Sequence, residues 1–198
     1  MTNIWKIYNY KGEQLNMSIY LTSDTHFCHD KPFVYEPRGF NSVDDMNKTI
    51  INNWNGIVTD QDDIYVLGDF FLGTDTDYIC DTIGNLRGRI HLIIGNHDTP
   101  AKIELYKEQR ICEVLYATQI KFKKRLFYLS HYPTMTADLQ SNPEKAIFNL
   151  FGHTHSKDKF YGDSPYMYNV AVDANDNKPV LIDDIYDQII GRVQEIYG

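Results

Sequence analysis

The residues of this chain that could do chemistry are mainly histidines and aspartates, and they come in short clusters. The clusters are Asp24-Thr25-His26, Gly68-Asp69, Gly95-Asn96-His97-Asp98, Ser130-His131 and Gly152-His153-Thr154-His155. Carboxylate, imidazole and amide groups without a thiolate suit Mn, Fe, Ni or Zn and argue against a structural zinc site made of cysteines. A spacing of two puts both side chains of Asp24-x-His26, and of His153-x-His155, on one side of an extended segment. Two such pairs from separate strands predict a site for two metal ions.

Each cluster follows an apolar run that is typical of a short buried strand. The predicted strands span 18–22, 64–67, 90–94, 126–129 and 148–151. Helical patterns predict helices at 42–54, with Ser42 as N-cap, at 77–86, at 100–109, and from Asp183 towards the C-terminus. Early strands alternate with helices and later strands do not. This mixture predicts an α/β fold in which strand ends converge on one site.

Two hairpins are also predicted. Residues 4–10 and 14–16 flank a turn at Lys11-Gly12, and residues 114–122 pair with 126–129 around Lys123-Lys124. The second turn carries the basic cluster Lys121, Lys123, Lys124 and Arg125. This cluster is the best signal for contact with a nucleic acid, although charges at a turn are usually only solvated.

Composition limits the remaining choices. The 198 residues suit one domain spanning 1–198, and the net charge of −8 disfavours non-specific binding to nucleic acid while leaving a small anionic substrate open. The cysteines Cys28, Cys80 and Cys112 form no CxxC pair, so we expect reduced thiols. With no signal-peptide pattern and no apolar run of membrane-spanning length, we expect a cytoplasmic protein without a membrane partner.

The five clusters, in this order and each after an apolar run, resemble the motifs of the calcineurin-like metallophosphoesterases. The resemblance runs from about residue 18 to residue 156, and SDTHFCH, VLGDF, IIGNHD, SHYP and FGHTH are most similar to the small single-domain bacterial and phage members. It implies a four-layer α/β/β/α sandwich with two mixed β-sheets. It also implies hydrolysis of a phosphate ester by a hydroxide bridging two divalent ions, with Mn first and Fe, Ni or Zn as alternatives.

The resemblance also implies a role for each matching residue. The first metal is held by Asp24, His26 and His155, and the second by Asn96, His131 and His153. Asp69 bridges both ions. His97 is not a ligand, and it protonates the leaving alkoxide or stabilises charge that develops at phosphorus.

Two departures from the family pattern concern catalysis and substrate binding. Many phosphatases of the superfamily continue the second motif as GDxxD, but this chain has Leu72 at the last position. Asp98 or a backbone carbonyl is therefore expected to orient His97, and Asp98 is predicted to be catalytic with it. His29 and Arg38 lie on an aromatic-rich loop and are predicted to contact the substrate. For His29, the alternatives are a contact with one of the metal ligands or a simple surface position. For Arg38, the alternative is a solvated side chain.

The missing acid and the small size favour a phosphodiester, such as a nucleotide or cyclic nucleotide, over a phosphomonoester. One alternative is a two-metal nuclease acting on DNA or RNA. Another is a non-catalytic interaction subunit of the same fold, against which the intact ligand positions argue. The expected partner is a small phosphate ester, with nucleic acid less favoured, and the sequence does not indicate the oligomeric state.

Overall fold

The structure, a computed structural model, describes residues 7–8, 14–15 and 17–198. Near the N-terminus, strand β1 (Ile7–Tyr8) pairs antiparallel with strand β2 (Gln14–Leu15), as the predicted hairpin requires. The turn predicted at Lys11-Gly12 lies outside the described residues.

The first of two larger sheets contains five strands. They are β3 (Ile19–Thr22), β4 (Asp63–Leu67), β5 (Arg89–Ile93), β6 (Ile111–Leu115) and β11 (Val180–Leu181). In the order β11-β3-β4-β5-β6, the four strands from β3 to β6 are parallel and β11 is antiparallel to β3. The carboxyl ends of the parallel strands therefore meet at one edge of the sheet.

The second larger sheet contains four strands. They are β7 (Ala117–Phe122), β8 (Arg125–Ser130), β9 (Phe148–Phe151) and β10 (Met167–Asn169). In the order β10-β9-β8-β7, β7 is antiparallel to β8 and the other pairs are parallel. The predicted turn between β7 and β8 is confirmed, and both Lys123 (φ 44°) and Lys124 (φ 68°) adopt the left-handed conformation of a tight hairpin.

The prediction of a single strand over 114–122 was wrong. The segment divides at Tyr116, so that β6 lies parallel to β5 in the first sheet while β7 pairs with β8 in the second. The local sequence does not show which sheet each half joins, because distant pairing partners decide that. Tyr116 at the crossover is 81% exposed. The short strands β10 and β11 were also not predicted.

The helices between the strands follow the predicted pattern closely. They are α1 (Pro32–Tyr35), α2 (Val43–Ile57), α3 (Thr76–Asn85), α4 (Pro100–Glu108) and α5 (Ile182–Tyr197), of which only α1 was not predicted. The predicted N-cap of α2 is confirmed, since the Asp45 amide donates to Ser42 Oγ at 3.1 Å. None of the described helices combines the length and apolar composition that crossing a lipid bilayer requires.

Two hydrophobic cores hold these layers together. In one core, fully buried side chains of α2 and α4, such as Trp54 and Tyr106, pack with Ile64 of β4 against one face of the five-stranded sheet. In the other, Leu67 from the opposite face of that sheet packs with residues of the four-stranded sheet, such as Phe148, and with residues of α5. The two mixed sheets and their helices confirm the predicted α/β fold class, and burial of this apolar area stabilises it.

Candidate metal centre

The predicted ligand clusters meet at one edge of the molecule because each follows the carboxyl end of a strand. Asp24 and His26 follow β3, and Asp69 follows β4. Asn96 and His97 follow β5, His131 follows β8, and His153 and His155 follow β9. Both sheets therefore contribute residues to the site, as the sequence predicted.

The first group consists of Asp24, His26 and His155, whose ligand atoms lie close enough to share one ion. The Nε2 atoms of the two histidines are 3.2 Å apart. Asp24 Oδ1 lies 3.9 Å from His26 Nε2 and 3.8 Å from His155 Nε2. The three side chains predicted to hold the first metal are thus together.

The second group consists of Asn96, His131 and His153. Asn96 Oδ1 lies 2.9 Å from His131 Nε2 and 2.9 Å from His153 Nδ1. Oxygen and nitrogen ligands that share one ion at about 2.0–2.2 Å lie roughly 3–3.5 Å apart, so these distances are close to those of a common ion. The three side chains predicted for the second metal are also together.

Asp69 lies between the two groups. Its Oδ2 is 3.5 Å from His26 Nε2 in the first group and 3.6 Å from His131 Nε2 in the second. A carboxylate in this position could contribute to two ions at once, as the bridging role implied by the resemblance requires.

In Asp24 and in Asp69, one carboxylate oxygen accepts a backbone amide while the other faces the histidines of the site, where it could bind a cation. Asp24 Oδ2 accepts the His153 amide at 2.8 Å, and Asp69 Oδ1 accepts the His97 amide at 2.8 Å. Within the described part of the chain, Asp24 Oδ1 is buried without a hydrogen-bond partner. A buried carboxylate oxygen in that state is costly unless it is paired, and a divalent ion would pair it.

The protonation state of His26 also suits metal binding. Burial, together with the nearby His155 and Arg38, lowers the pKa of His26 to about 2, so its imidazole is neutral and able to ligate. Burial raises the pKa of Asp24 because it disfavours the ionised carboxylate. A bound cation would favour that ionised form.

The ligand loops adopt backbone conformations that are rare for residues with side chains. Asp24, His26, Asp69, His153 and His155 all have positive φ, between 48° and 69°. Such conformations cost free energy and persist where surrounding bonds impose them. Here the Asp24 amide donates to the Gly68 carbonyl at 3.0 Å and the His26 amide to the Asp69 carbonyl at 3.1 Å, so the ligand loops after β3 and β4 hold each other.

Two glycines of the motifs allow this close approach. A Cβ at Gly95 would collide with the Asp69 carboxylate, and a Cβ at Gly152 would collide with the Asp24 carboxylate and with Ser23. Glycine is therefore required at both positions because the ligand carboxylates occupy the space of a side chain.

Comparison with known proteins now decides the family. A model of the calcineurin-like phosphoesterase superfamily domain matches residues 17–170. The chain belongs to this superfamily.

Similar proteins extend across most of this phosphoesterase. The uncharacterized protein MJ1445 of Methanocaldococcus jannaschii is 33% identical over 168 residues, which are 83% of this chain and 87% of that protein. The gene 66 protein of Mycobacterium phage D29 is 29% identical over 164 residues, 71% of this chain and 79% of that protein. Among solved structures, the protein of unknown function AQ665 from Aquifex aeolicus has the same fold, with a TM-score of 0.66, 24% identity, and coverage of 87% of this chain and 99% of that one.

Asp173 is a site residue of this phosphoesterase that the sequence did not indicate. It lies in a 3₁₀ turn (Val172–Ala174), and its Oδ2 is 3.1 Å from His155 Nδ1, the ring nitrogen that faces away from the other ligands. This bond raises the pKa of His155. Burial alone would raise the pKa of Asp173, but its hydrogen bonds with His155 and Arg38 outweigh burial and hold that pKa well below the usual range.

Arg38, predicted to contact the substrate, has protein partners instead. Its side chain is 1% exposed, and its Nε and Nη2 atoms donate to the two carboxylate oxygens of Asp173 at 2.9 and 2.8 Å. Nη2 also donates to the Asp24 carbonyl at 2.8 Å, and Nη1 to the Thr25 carbonyl at 3.2 Å. The guanidinium therefore ties Asp173 to the loop that carries the first ligands.

Asp98, predicted to orient His97, is bound elsewhere. Its carboxylate accepts the amides of Asp69 at 2.9 Å and Gly95 at 2.8 Å, and the hydroxyl of Tyr106 at 3.3 Å. Among the residues described, it makes no hydrogen bond to the His97 ring. Since its oxygens are used in this way, Asp98 holds the Gly68-Asp69 and Gly95-Asn96 loops together, which corrects the expected contact.

Lys102 supports the loop that carries His97. This buried lysine on α4 donates to the carbonyls of Phe71 at 2.6 Å, Leu72 at 3.3 Å and His97 at 3.3 Å. Burial lowers its pKa. The backbone carbonyl of Leu72, the position at which the family pattern led us to expect an acid, thus helps to anchor the His97 loop through Lys102.

The basic cluster at the β7–β8 turn is partly neutralised within the protein. Lys123 Nζ lies 2.8 Å from an Asp183 carboxylate oxygen and 3.8 Å from one of Asp187. Arg125 donates to the carbonyls of Pro143 and Glu144. These contacts weaken the cluster as a surface for a nucleic acid.

Proposed function

We propose that this chain is a phosphodiesterase that depends on two divalent metal ions, with manganese as the first choice. The observation that carries the proposal is the position of Asp69 Oδ2, 3.5 Å from His26 and 3.6 Å from His131, between two complete ligand groups. Intact ligand groups also favour an enzyme over a non-catalytic interaction subunit.

In this proposal the attacking water is activated by the metal ions and His97 protonates the leaving group. Two divalent ions, when bound, lower the pKa of a shared water and neutralise the phosphate oxygens during in-line attack. His97 is exposed, and its ring centre lies 5.5 Å from that of the ligand His26, which is close enough for it to reach a phosphate ester held by the same ions. The Asp69 carboxylate and Lys102 hold the His97 backbone, which supports the proposal that His97 protonates the leaving oxygen.

The charges around the site support a diester. A phosphomonoester carries close to two negative charges at neutral pH, one more than a diester, and benefits from extra cations. Arg38 is committed to Asp173 and to backbone carbonyls, so it is not free to bind a phosphate oxygen. The net charge of −8 and the paired Lys123 favour a small substrate over a nucleic acid.

Free thiols at Cys28, Cys80 and Cys112 fit the reducing cytoplasm.

The proposal is tested with protein that has been treated with EDTA and then dialysed. We expect it to be inactive on bis-p-nitrophenyl phosphate, to regain turnover with Mn²⁺ or Ni²⁺, and to act more slowly on p-nitrophenyl phosphate. Full activity with metal shown to be absent would disprove metal dependence, and faster hydrolysis of the monoester would disprove the preference for diesters. Salt-dependent binding and cleavage of single-stranded DNA would favour the nuclease.

A further inference from the structure

A cavity of about 430 Å³ opens directly beside the first ligand group. Its wall includes the ligands His26 and His155 together with His97, the proposed acid. Two larger cavities, of about 610 and 660 Å³, contain none of the ligand residues. A volume of 430 Å³ falls within the range of roughly 300–1,000 Å³ that is common for small-molecule sites.

The rest of the cavity wall is largely apolar and aromatic. It is formed by His29 in the loop after β3, by Phe33 and Val34 in the short helix α1, and by Pro37 just after that helix. The rings of His29 and Phe33 meet edge to face, with centres 5.6 Å apart and an angle of 86° between their planes. Phe33 is 72% exposed, which is unusual for phenylalanine and leaves most of its surface available to a ligand.

The polar groups of the cavity indicate which part of a substrate it receives. Because His97 lines it, the part of the ester that His97 protonates lies here, and that part is the leaving group. Among the described residues that line the cavity there is no lysine or arginine, and the Asp173 carboxylate on its wall is already paired with Arg38 and His155. The cavity therefore offers no cationic side chain to a leaving group with its own phosphates, whereas an uncharged flat ring could stack on Phe33 or His29.

We propose that this cavity is a leaving-group pocket that selects esters of uncharged alcohols bearing an aromatic ring, of which nucleosides are the natural class. The proposal rests on the proposed function, since it takes the phosphate to lie at the metal ligands. It gives His29, predicted to contact the substrate, a place in the pocket wall, and it adds Phe33 as the main determinant of specificity.

Non-hydrolysable phosphonates test the pocket without any need for turnover. Binding of methylphosphonate, cyclohexylphosphonate and phenylphosphonate to the manganese-loaded protein is measured by calorimetry. We expect phenylphosphonate to bind about 5- to 100-fold more tightly than methylphosphonate, since stacking of one ring on an aromatic side chain contributes about this much. Phe33→Ala should remove most of the difference. Tyr116→Ala, which removes an exposed aromatic side chain outside the cavity, should keep it.

The outcomes separate the pocket from the activity. Equal affinity for methyl- and phenylphosphonate, or an unchanged preference in Phe33→Ala, overturns the pocket while leaving the phosphodiesterase standing. Equal tightening by the cyclohexyl and phenyl groups overturns the selection for aromatic rings. If neither phosphonate binds in the presence of manganese, the pocket assignment is overturned; if bis-p-nitrophenyl phosphate is not hydrolysed either, the proposed function fails with it. The number of manganese ions bound per chain is measured for Phe33→Ala, and its phosphonate affinities are compared with those of wild type when that number is unchanged.

Discussion

Asp173 Oδ2 lies 3.1 Å from His155 Nδ1, while Nε2 of the same imidazole faces the Asp24 carboxylate at 3.8 Å. The Asp173 carboxylate therefore fixes the orientation of the His155 ring and holds the proton on Nδ1, which leaves the Nε2 lone pair for an ion. Arg38 in turn orients Asp173 through two hydrogen bonds. Asp173 is thus expected to act through His155 and not on the substrate.

Replacing Asp173 should weaken the first metal site selectively. We expect Asp173→Asn to lower the affinity of one of the two ions about 10- to 100-fold, because such carboxylate partners of ligand histidines typically contribute that much. Calorimetric titration with Mn²⁺ measures both affinities. Asp163→Asn changes an exposed aspartate and serves as the control. Equal weakening of both ions, or none, would count against this role.

Replacing Asp69 should disturb both metal sites. Its Oδ2 serves the two ligand groups, so Asp69→Asn should reduce kcat more than any other change of a single ligand. Activity on bis-p-nitrophenyl phosphate is compared with that of Asp24→Asn and His155→Asn, with bound metal assayed in each protein. If Asp69→Asn keeps two ions and near-normal kcat, the bridging assignment is wrong.

Replacing His97 should lower catalysis without loss of metal. For His97→Ala we expect two bound ions and a fall in kcat of about 10²- to 10⁴-fold for alkoxide leaving groups, the usual contribution of general acid catalysis. The fall should shrink for p-nitrophenolate, which needs little protonation. The measurement is kcat against leaving-group pKa. A uniform fall would assign His97 to charge stabilisation, and loss of one ion would make it a ligand.

Asp98→Asn should give a different profile from His97→Ala. Since the Asp98 carboxylate binds the amides of Asp69 and Gly95 and does not contact the His97 ring within the described residues, its loss should loosen both ligand loops. We expect lower metal affinity and reduced stability, with no dependence of the kinetic loss on the leaving group. A dependence like that of His97→Ala would restore the catalytic role that the sequence suggested.

His91 provides a pH test of stability away from the metal ligands. Its Nε2 lies 2.9 Å from Asp63 Oδ1, and this hydrogen bond raises the pKa of His91 above its ordinary value of 6.5. Because the folded-state pKa is raised, the stabilisation is fully present below pH 6.5 and is lost as the pH rises through the folded-state value.

The corresponding measurement is urea unfolding of wild type and His91→Gln in EDTA at pH 5.5 and 8.5. The wild type should exceed the variant in free energy of unfolding by about 0.5–1 kcal/mol more at pH 5.5 than at pH 8.5. Other titrating groups are the same in both proteins, so the difference between wild type and variant at each pH removes their contribution. The same difference at both pH values would show that the ion pair does not stabilise the fold.

The candidate ligands could be predicted to lie together because each is within a few residues of an apolar strand, where a local motif reveals it. Asp173 could not, because it follows His155 by 18 residues and meets it only through the fold. Arg38 likewise lies in a loop, where an arginine is usually solvated, and only its contacts with distant residues bury it. The division at Tyr116 was missed for the same reason, since strand pairing over long separations leaves no local signal.

The central claim is that two ions, bridged by Asp69, are needed for hydrolysis of a phosphodiester. The most direct measurement is a stepwise titration of the chelated protein with Mn²⁺, with bound manganese per chain and hydrolysis of bis-p-nitrophenyl phosphate followed together. We predict saturation at two ions per chain, with most of the activity appearing as the second ion binds. Saturation at one ion, or full activity before the second binds, would contradict the account.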